Sequence, residues 1–259
     1  MAARPAARRP IPPPHLPRPR AGLQRARSRR PFGLATAHEH LATPFHVRAE
    51  NPMKPYPIQL EISGPTALWT RPDTGSSPVS YVAPTFSAVK GIFESVLRWK
   101  SVNVRPIKVE ICAPVQFHRY TTNYGGPLRA SDAMKKGASF QFYTVVLVNV
   151  CYRLYAQAEF AGHHDGTTWP PHAYHDVFNR ALDRGQWFYT PCLGWKEFAP
   201  DYVGPFRPET RVCEIENHEL PTMLRMVFDQ MQSGKVKPSF YNKRNHPDLR
   251  VEKGVLVYA

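Results

Sequence analysis

The sequence predicts an α+β fold, because strand-type and helix-type hydrophobic patterns alternate along one continuous stretch. Apolar and polar residues alternate over 58–62, which is typical of a strand with one buried face. Apolar residues recur at helical spacing over 85–100, where Thr85 is a suitable N-cap. A β-branched and aromatic run over 140–155 predicts a long strand.

Six elements are predicted in the order strand, helix, strand, strand, helix, strand. The other three are a strand at 107–111, a helix at 172–184 ended by Gly185, and a strand at 186–198. This order is the ferredoxin-like arrangement that RNA-recognition modules also use. A long, basic and aromatic insert connects the second predicted strand to the third.

Composition divides the chain into three parts. Residues 1–52 hold ten arginines, ten prolines and two acidic residues, and so carry more than half of the net charge of +14. Such a segment buries too little apolar area to become ordered, so we expect a disordered extension there. Either translation starts naturally at Met53 or the extension is an RNA-binding arm. We expect a ferredoxin-like domain at 53–204 and a small β-rich unit at 205–259.

The cysteines argue against two common kinds of site. Cys112, Cys151, Cys192 and Cys213 are widely spaced and form no CxxC pair, so neither a zinc ribbon nor a small disulfide scaffold is indicated. We expect inert, buried thiols. The sequence contains no apolar core of a secretory signal and no membrane-spanning run, which favours a cytoplasmic, reducing compartment.

Residues 117–129 (FHRYTTNYGGPLR) interleave rings with cations before a Gly-Gly-Pro turn. Rings stack on bases and cations meet phosphates, so this composition indicates binding of single-stranded nucleic acid. An ordinary loop with solvated charges is the alternative interpretation, and Lys90 in the first helix suits a solvated face.

Four segments, in this order, resemble one known family. They are GPTALWTRPDTGSSPVSY (64–81), APTFSAVKGIFESV (83–96), FHRYTTNYGGPLR (117–129) and RGQWFYTPCLGWKEF (184–198). Together they resemble the subtype I-C CRISPR-associated Cas-five proteins, which are RAMP-type subunits of the Cascade surveillance complex. The resemblance extends from Met53 to about Phe206 and implies a ferredoxin-like domain followed by a smaller β-rich unit.

The resemblance also implies a function. Members bind the repeat-derived 5′ handle of the CRISPR guide RNA and cap one end of the backbone filament. The candidate RNA-binding residues that the resemblance implies are His118, Arg119, Tyr120, Tyr124, Arg129, Lys135, Lys136 and Lys90. The implied partners are the guide RNA, the backbone and large subunits of Cascade, and target DNA through the complex, with no membrane and no cofactor. Members of this subtype also cut the precursor RNA without a metal, because the ribose 2′-OH attacks the adjacent phosphate.

The family's cleavage residues are missing from their expected positions. Members use an aromatic or imidazole side chain late in the first helix and a Lys-His pair at the start of the second, where this chain has Leu97, Ala173 and Tyr174. His172, Tyr174 and His175 lie at the same helix start and are substitute candidates, because histidine titrates near neutrality. The chain is therefore either an RNA-holding subunit that no longer cuts or an endoribonuclease with a rearranged site.

Two further interpretations compete with these. His163, His164, Asp165, His172 and His175 suit either a metal site or an exposed loop, and the neighbouring glycines and prolines favour the loop. A stand-alone single-stranded RNA-binding module would carry aromatic and basic residues on its central strands. The predicted third strand instead reads VVLVNV over 145–150, which is apolar on both faces and disfavours such a module.

Overall fold

The computed structural model describes residues 54–75, 77–124, 140–162, 170–232, 235–242 and 249–258. Within these ranges the helices are α1 (Phe86–Val96) and α2 (Pro171–Asp183), with a short 3-10 helix at Pro72–Thr74. The strands are β1 (Tyr56–Ala67), β2 (Val102–Ile111), β3 (Phe117–Tyr124), β4 (Phe140–Phe160), β5 (Tyr202–Gly204), β6 (His218–Glu219), β7 (Thr222–Gln232), β8 (Lys235–Asn242), β9 (Arg250–Glu252) and β10 (Val255–Val257). The predicted α+β class is confirmed.

The 21-residue strand β4 organises an antiparallel sheet of eight strands. Seven of them lie in the order β5-β1-β4-β2-β10-β9-β6. Strands β1 and β2 flank the second half of β4, and β3 pairs with its first half, from Phe117 opposite Leu147 to Tyr124 opposite Phe140. Strands β7 and β8 form a separate two-stranded sheet.

The hydrophobic core lies between the sheet and the two helices. The apolar residues of the first predicted strand are all buried in it: Ile58, Leu60 and Ile62. Phe93 of α1 meets Phe178 of α2 with ring centroids 5.7 Å apart, and both side chains are fully buried. Each such side chain contributes about 1.5–3 kcal/mol through removal from water, so this contact fixes both helices on one face of the sheet.

Both predicted cap signals are confirmed, Thr85 at the start of α1 and Gly185 after the end of α2. The Thr85 side chain accepts a backbone hydrogen bond and caps α1. Leu97 is extended, with φ −147°, so α1 is shorter than the predicted 85–100. Gly185 follows α2 with φ 63°, and its N–H donates to the carbonyl of Leu182 at 3.2 Å, which is the expected left-handed cap.

The predicted strand at 186–198 is wrong, because this segment forms turns and bends. Its backbone instead binds the end of α1, where the N–H of Tyr189 donates to the carbonyl of Ser95 at 3.1 Å. Gly194 has φ 99°, and a Cβ at this position would lie 2.0 Å from the carbonyl oxygen of Leu68. The strand that pairs with β1 after α2 is β5.

Within the insert predicted at 117–129, the first eight residues form the strand β3, so the alternative of an ordinary loop is wrong for them. Residues from 205 onwards are rich in strands, as expected, and β10 pairs with β2, so the C-terminal strands extend the main sheet. The boundary between 53–204 and 205–259 stays a prediction, and the extension at 1–52 lies outside the described residues. In the part of the chain that the structure describes, no helix is long and apolar enough to cross a membrane.

A buried ion network occupies the sheet face opposite the helices. Glu61 is fully buried and accepts hydrogen bonds from Arg207 Nε at 2.6 Å and Thr210 Oγ1 at 2.8 Å. Arg153 lies 3.4 Å from the same carboxylate and donates to the backbone carbonyls of Arg207 and Thr210. Burial alone would raise the pKa of Glu61, but the hydrogen bonds from Thr210 and Arg207 lower it below its ordinary value.

Candidate nucleic-acid interface

Strand β3 and the first half of β4 form a hairpin with an exposed aromatic face. The register places Arg119 opposite Val145 and Thr121 opposite Tyr143. The guanidinium carbon of Arg119 lies 4.1 Å from the centroid of the Tyr143 ring. Phe117 is 49% exposed and Tyr143 is 51% exposed. We call Phe117, Arg119, Thr121 and Tyr143 the hairpin face.

The chemistry of the hairpin face suits a single strand of RNA. Exposed rings are stacking platforms for any base, and a guanidinium pairs with phosphate oxygens or stacks on a base. The contact with Tyr143 holds Arg119 in one orientation while both side chains stay open to solvent. A cation over a ring of this kind contributes about 0.5–1 kcal/mol at an exposed site, enough to preorganise the pair.

The opposite side of the hairpin is turned inwards. Thr144 and Val146 of β4 are buried, and Tyr120, which pairs with Thr144, is half-buried. His118 lies on the same side as Tyr120 but is exposed. The structure therefore brings Arg119 together with Tyr143, whereas the sequence suggested Tyr120 and Tyr124 as the stacking residues.

Sequence reasoning missed Tyr143 because its side depends on the strand register. A shift of one residue in the pairing would turn Tyr143 to the other side of the hairpin. In the sequence, Tyr143 stands in an aromatic and β-branched run that does not name the partner strand. The strand partner became visible only in the structure.

The remaining candidate RNA-binding residues fall into two groups. For Tyr124 the structure describes the backbone alone, and three residues lie outside the described ranges: Arg129, Lys135 and Lys136. Lys90 is placed elsewhere, since its Nζ donates to Asn103 Oδ1 at 2.7 Å.

The distance between Lys90 and the hairpin face is large. Asn103, the partner of Lys90, pairs with position 159 of β4, and Arg119 pairs with position 145. Fourteen strand residues correspond to roughly 45 Å along β4. Lys90 also lies 3.9 Å from Glu94, so it belongs to a polar helix face and not to the hairpin face.

Two of the candidate cleavage residues form a small exposed cluster at the start of α2. His172 and His175 lie beside the ring of Tyr56, with centroid distances of 6.0 and 6.1 Å. The two ring nitrogens of His175 are 3.2 Å from Asp176 Oδ1 and 3.1 Å from Asn179 Nδ2, which fixes the imidazole plane. Tyr56 was not predicted, because it lies 116 positions before His172 and only the pairing of β1 beside α2 brings them together.

The structure argues against a catalytic role for Tyr174. Its side chain is fully buried, packs edge-on against Trp99 and donates from its hydroxyl to the carbonyl of Leu97 at 2.6 Å. Burial raises the pKa of Tyr174 well above its ordinary value, so the phenol stays protonated. Of the three positions where the resemblance expects cleavage residues, Leu97 and Tyr174 are thus in contact but hold packing groups.

The predicted metal-site interpretation gains no support from the described residues, among which no group of three His, Cys, Asp or Glu could hold an ion. Three members of that predicted group lie outside the described ranges: His163, His164 and Asp165.

The apolar run VVLVNV predicted central strands without aromatic and basic residues, and the sheet face opposite the helices differs from that prediction. Strand β4 continues beyond that run, and Tyr155 lies beside Lys108, whose Nζ is 4.1 Å from the ring centroid. The basic residues here are paired: Lys108 with Glu110 at 2.7 Å and Arg105 with Glu159 at 2.5 Å. The central strands therefore do carry aromatic and basic residues, but these cations are already neutralised.

A comparison with known families assigns the chain to one of them. The sequence profile of the family described as CRISPR-associated protein (Cas_Cas5) matches residues 58–254, which include the hairpin face and the start of α2. The chain belongs to this family. The Cas5 resemblance predicted from four ordered segments is thereby confirmed.

Two named relatives are about a third identical to this chain over their aligned residues. A protein of Mannheimia succiniciproducens named CRISPR pre-crRNA endoribonuclease Cas5d is 32% identical over 165 residues, covering 56% of this chain and 71% of that protein. A protein of the same name from Thermus thermophilus is 31% identical over 151 residues, covering 57% of this chain and 63% of that protein. A crystal structure of a CRISPR-associated protein matches with a TM-score of 0.60 at 16% identity, over 81% of this chain and 95% of that chain. This last likeness concerns the Cas5 fold alone.

Proposed function

We propose that this Cas5 chain is the guide-RNA-binding subunit of a type I CRISPR surveillance complex. In this role it holds the repeat-derived 5′ handle and caps the backbone filament. The observation that carries the proposal is the hairpin face, where Arg119 is held against Tyr143 beside the exposed ring of Phe117. Arg119 meets phosphates, and the two rings stack on unpaired bases.

Further cations extend the proposed surface. Arg129, Lys135 and Lys136 lie between β3 and β4 in the sequence, so we assign them to the same RNA-binding insert. The exposed His118 of β3 and Tyr124 at the end of that strand complete this insert, whereas the half-buried Tyr120 faces inwards and is left out of it. Guide pairing reads the target DNA, so the protein needs to recognise only the shape, the backbone and a few splayed bases of the RNA.

We infer a ferredoxin-like core made of β1, α1, β2, β4, α2 and β5. The strand order β5-β1-β4-β2, together with two helices on one face, supports this assignment. Strand β3 and residues 125–139 then form the insert between the second and third strands of that core. We also propose that the domain at 53–204 and the β-rich unit at 205–259 act in the cytoplasm, bound to the backbone and large subunits of Cascade.

A second candidate function is metal-independent cleavage of precursor CRISPR RNA. The name of the two curated relatives and the cluster of Tyr56, His172 and His175 favour it. The exposed imidazole of His172 can accept the 2′-OH proton or donate one to the leaving oxygen, while Asp176 and Asn179 hold both ring nitrogens of the neighbouring His175. Tyr174 is left out of this candidate because its hydroxyl is buried.

Substitution separates this second candidate from RNA binding without cleavage. Any cleavage of repeat RNA that persists in EDTA should fall at least about 100-fold in the His172→Ala/His175→Ala variant, because general acid–base groups contribute on that scale. His218→Ala is the matched control, since His218 is half-buried beside Glu216 on β6. Undiminished cleavage by the double variant would remove the cluster from the reaction.

A stand-alone RNA-binding module is the less favoured alternative. Such a module binds RNA across its central strands, where Lys108 and Arg105 here are paired with carboxylates. On the hairpin face, the described contact of Arg119 is with a ring and not with an acid. Charge therefore favours the hairpin face over the central strands.

Binding of repeat RNA by the full chain tests the proposal. A CRISPR repeat RNA from the source genome and a scrambled RNA of the same length are titrated in EDTA, and fluorescence anisotropy gives each Kd. We expect the repeat RNA to bind at least tenfold more tightly, with the preference contained in its 5′ handle portion. Equal affinity for both RNAs would contradict a handle-binding role.

A further inference from the structure

Cys112 and Cys151 face each other across two neighbouring strands. Cys112 directly follows β2, and its N–H donates to the carbonyl of Cys151 in β4 at 2.8 Å. The register, with Ile111 opposite Tyr152, puts the two cysteines at the next paired position. Residues paired in this way have Cα atoms about 5.5 Å apart, which lies within the range that a disulfide requires.

The surroundings make the two thiols different from each other. Both are half-buried and therefore reachable by a small oxidant. Arg207 Nη2 lies 3.8 Å from Cys151 Sγ, and the carboxylate of Glu61 lies at 3.9 Å. The contact with Cys112 and the nearby Arg207 lower the pKa of Cys151 against the opposing effects of burial and Glu61, whereas the contact with Cys151 and burial raise the pKa of Cys112. Cys151 is thus the better nucleophile.

We propose that Cys112 and Cys151 form a reversible oxidation site that closes an intramolecular disulfide when the chain meets hydrogen peroxide. The Cys151 thiolate attacks one peroxide oxygen, the O–O bond breaks, and hydroxide leaves and takes a proton to become water. The resulting sulfenic acid is attacked by the Cys112 sulfur, the S–S bond forms and a second water leaves. Two thiols are oxidised, and one peroxide is reduced to two waters.

The proposed disulfide between Cys112 and Cys151 would lie next to the hairpin that carries the hairpin face. The covalent loop from 112 to 151 would enclose all of β3 and the first half of β4, so oxidation would fasten the base of the hairpin. The inference does not depend on RNA binding, because its primary readout is covalent. The sequence predicts inert, buried thiols, but in the structure Cys112 and Cys151 are half-buried and lie at paired strand positions.

Peptide mapping of the peroxide-treated full chain tests the inference. The chain is exposed to hydrogen peroxide, remaining thiols are blocked with N-ethylmaleimide, and the digest is analysed by mass spectrometry. We expect two of the four thiols to be lost, one peptide pair joined through Cys112 and Cys151, and full reversal by dithiothreitol.

Serine variants supply the matched controls. Cys192→Ser and Cys213→Ser should still form the joined peptide pair, because both residues lie outside the strand pair. Cys112→Ser should stop at a sulfenic acid on Cys151 that dimedone traps. Oxidation of Cys192 or Cys213 in the unsubstituted chain without the joined pair would overturn the proposal, and so would pairing of Cys151 with either of them.

Discussion

The Tyr174 hydroxyl joins α2 to the end of α1 through its hydrogen bond to the Leu97 carbonyl. Tyr174→Phe keeps the ring beside Trp99 and Phe178 but leaves that carbonyl without its donor. We expect the substitution to lower the free energy of unfolding by about 1–2 kcal/mol, measured by urea denaturation. Tyr189→Phe, at a residue 44% exposed, should change it by less than about 0.5 kcal/mol. Equal effects would contradict this structural role.

At the scale of single residues, the sequence identified cations better than it identified their partners. Arg119 could be named because it stands among rings in a polar segment. Tyr143 and Tyr56 could not, because each acquires its neighbour through strand pairing between distant segments. Tyr174 looked reactive in a histidine-rich stretch, and only its burial shows that its hydroxyl serves packing.

At the scale of elements, the segment 186–198 is defined by a close backbone approach. Gly194→Ala would place a Cβ 2.0 Å from the Leu68 carbonyl oxygen, at a φ of 99°. Gly185→Ala is the matched control, since its φ of 63° is also positive but no atom lies within 4 Å of the added Cβ. We expect a loss of about 1 kcal/mol for Gly185→Ala and a clearly larger loss, or failure to fold, for Gly194→Ala. Similar thermal stability of the two variants would contradict a close approach of the backbone at Gly194 to the Leu68 carbonyl.

The elements predicted correctly were those with one clear hydrophobic face. β1, α1 and α2 bury a stripe of apolar residues, so their periodicity is visible in the sequence. β3 has polar residues on both faces and lacks that signal, so it was interpreted as a loop. Residues 186–198 are aromatic enough to suggest a strand, yet their backbone hydrogen bonds go to the end of α1. Strand propensity alone cannot show that this segment makes its backbone hydrogen bonds to a helix end and not to a neighbouring strand.

At the scale of the whole molecule, the buried Glu61 couples stability to pH. Its pKa is lower in the folded than in the unfolded chain, so it stabilises the fold above its ordinary pKa of about 4.3. That contribution is lost as the pH falls through the folded value. We expect Glu61→Gln to be less stable by about 3 kcal/mol at pH 7, because Arg207 and Arg153 lose their counter-charge, and to show a flatter acid profile.

Denaturant titrations between pH 3 and pH 7 provide the check on the Glu61 network. Glu252→Gln is the matched control, because Glu252 is 61% exposed and pairs with Arg250 at the surface. Exposed pairs contribute about 0–1 kcal/mol, so this variant should follow the unsubstituted chain. If the free energy of unfolding of Glu61→Gln fell with pH in parallel with that of the unsubstituted chain, protonation of Glu61 would not be the cause of the acid destabilisation.

The charge of the whole chain predicts a salt-dependent affinity for RNA. Each phosphate neutralised on a single strand contributes a slope of about −0.7 to log K against log salt concentration. We expect a slope between about −2 and −4 for the repeat RNA, because Arg119, Arg129, Lys135 and Lys136 supply the proposed phosphate contacts. Arg119→Ala should reduce its magnitude by about 0.7. A flat salt titration would contradict binding through phosphates.

Handle-RNA affinity of the Arg119→Ala/Tyr143→Ala variant tests the central claim most directly. The matched control is Arg250→Ala/Tyr189→Ala, which removes an exposed arginine and an exposed tyrosine away from the hairpin face. Loss of one stacked base and one phosphate contact is worth at least about 1.4 kcal/mol, or tenfold in Kd. The account predicts at least tenfold weaker binding for the hairpin-face variant and a change within twofold for the control. If the hairpin-face variant bound handle RNA with a Kd within twofold of that of the unsubstituted chain, the proposed role of the hairpin face would be contradicted.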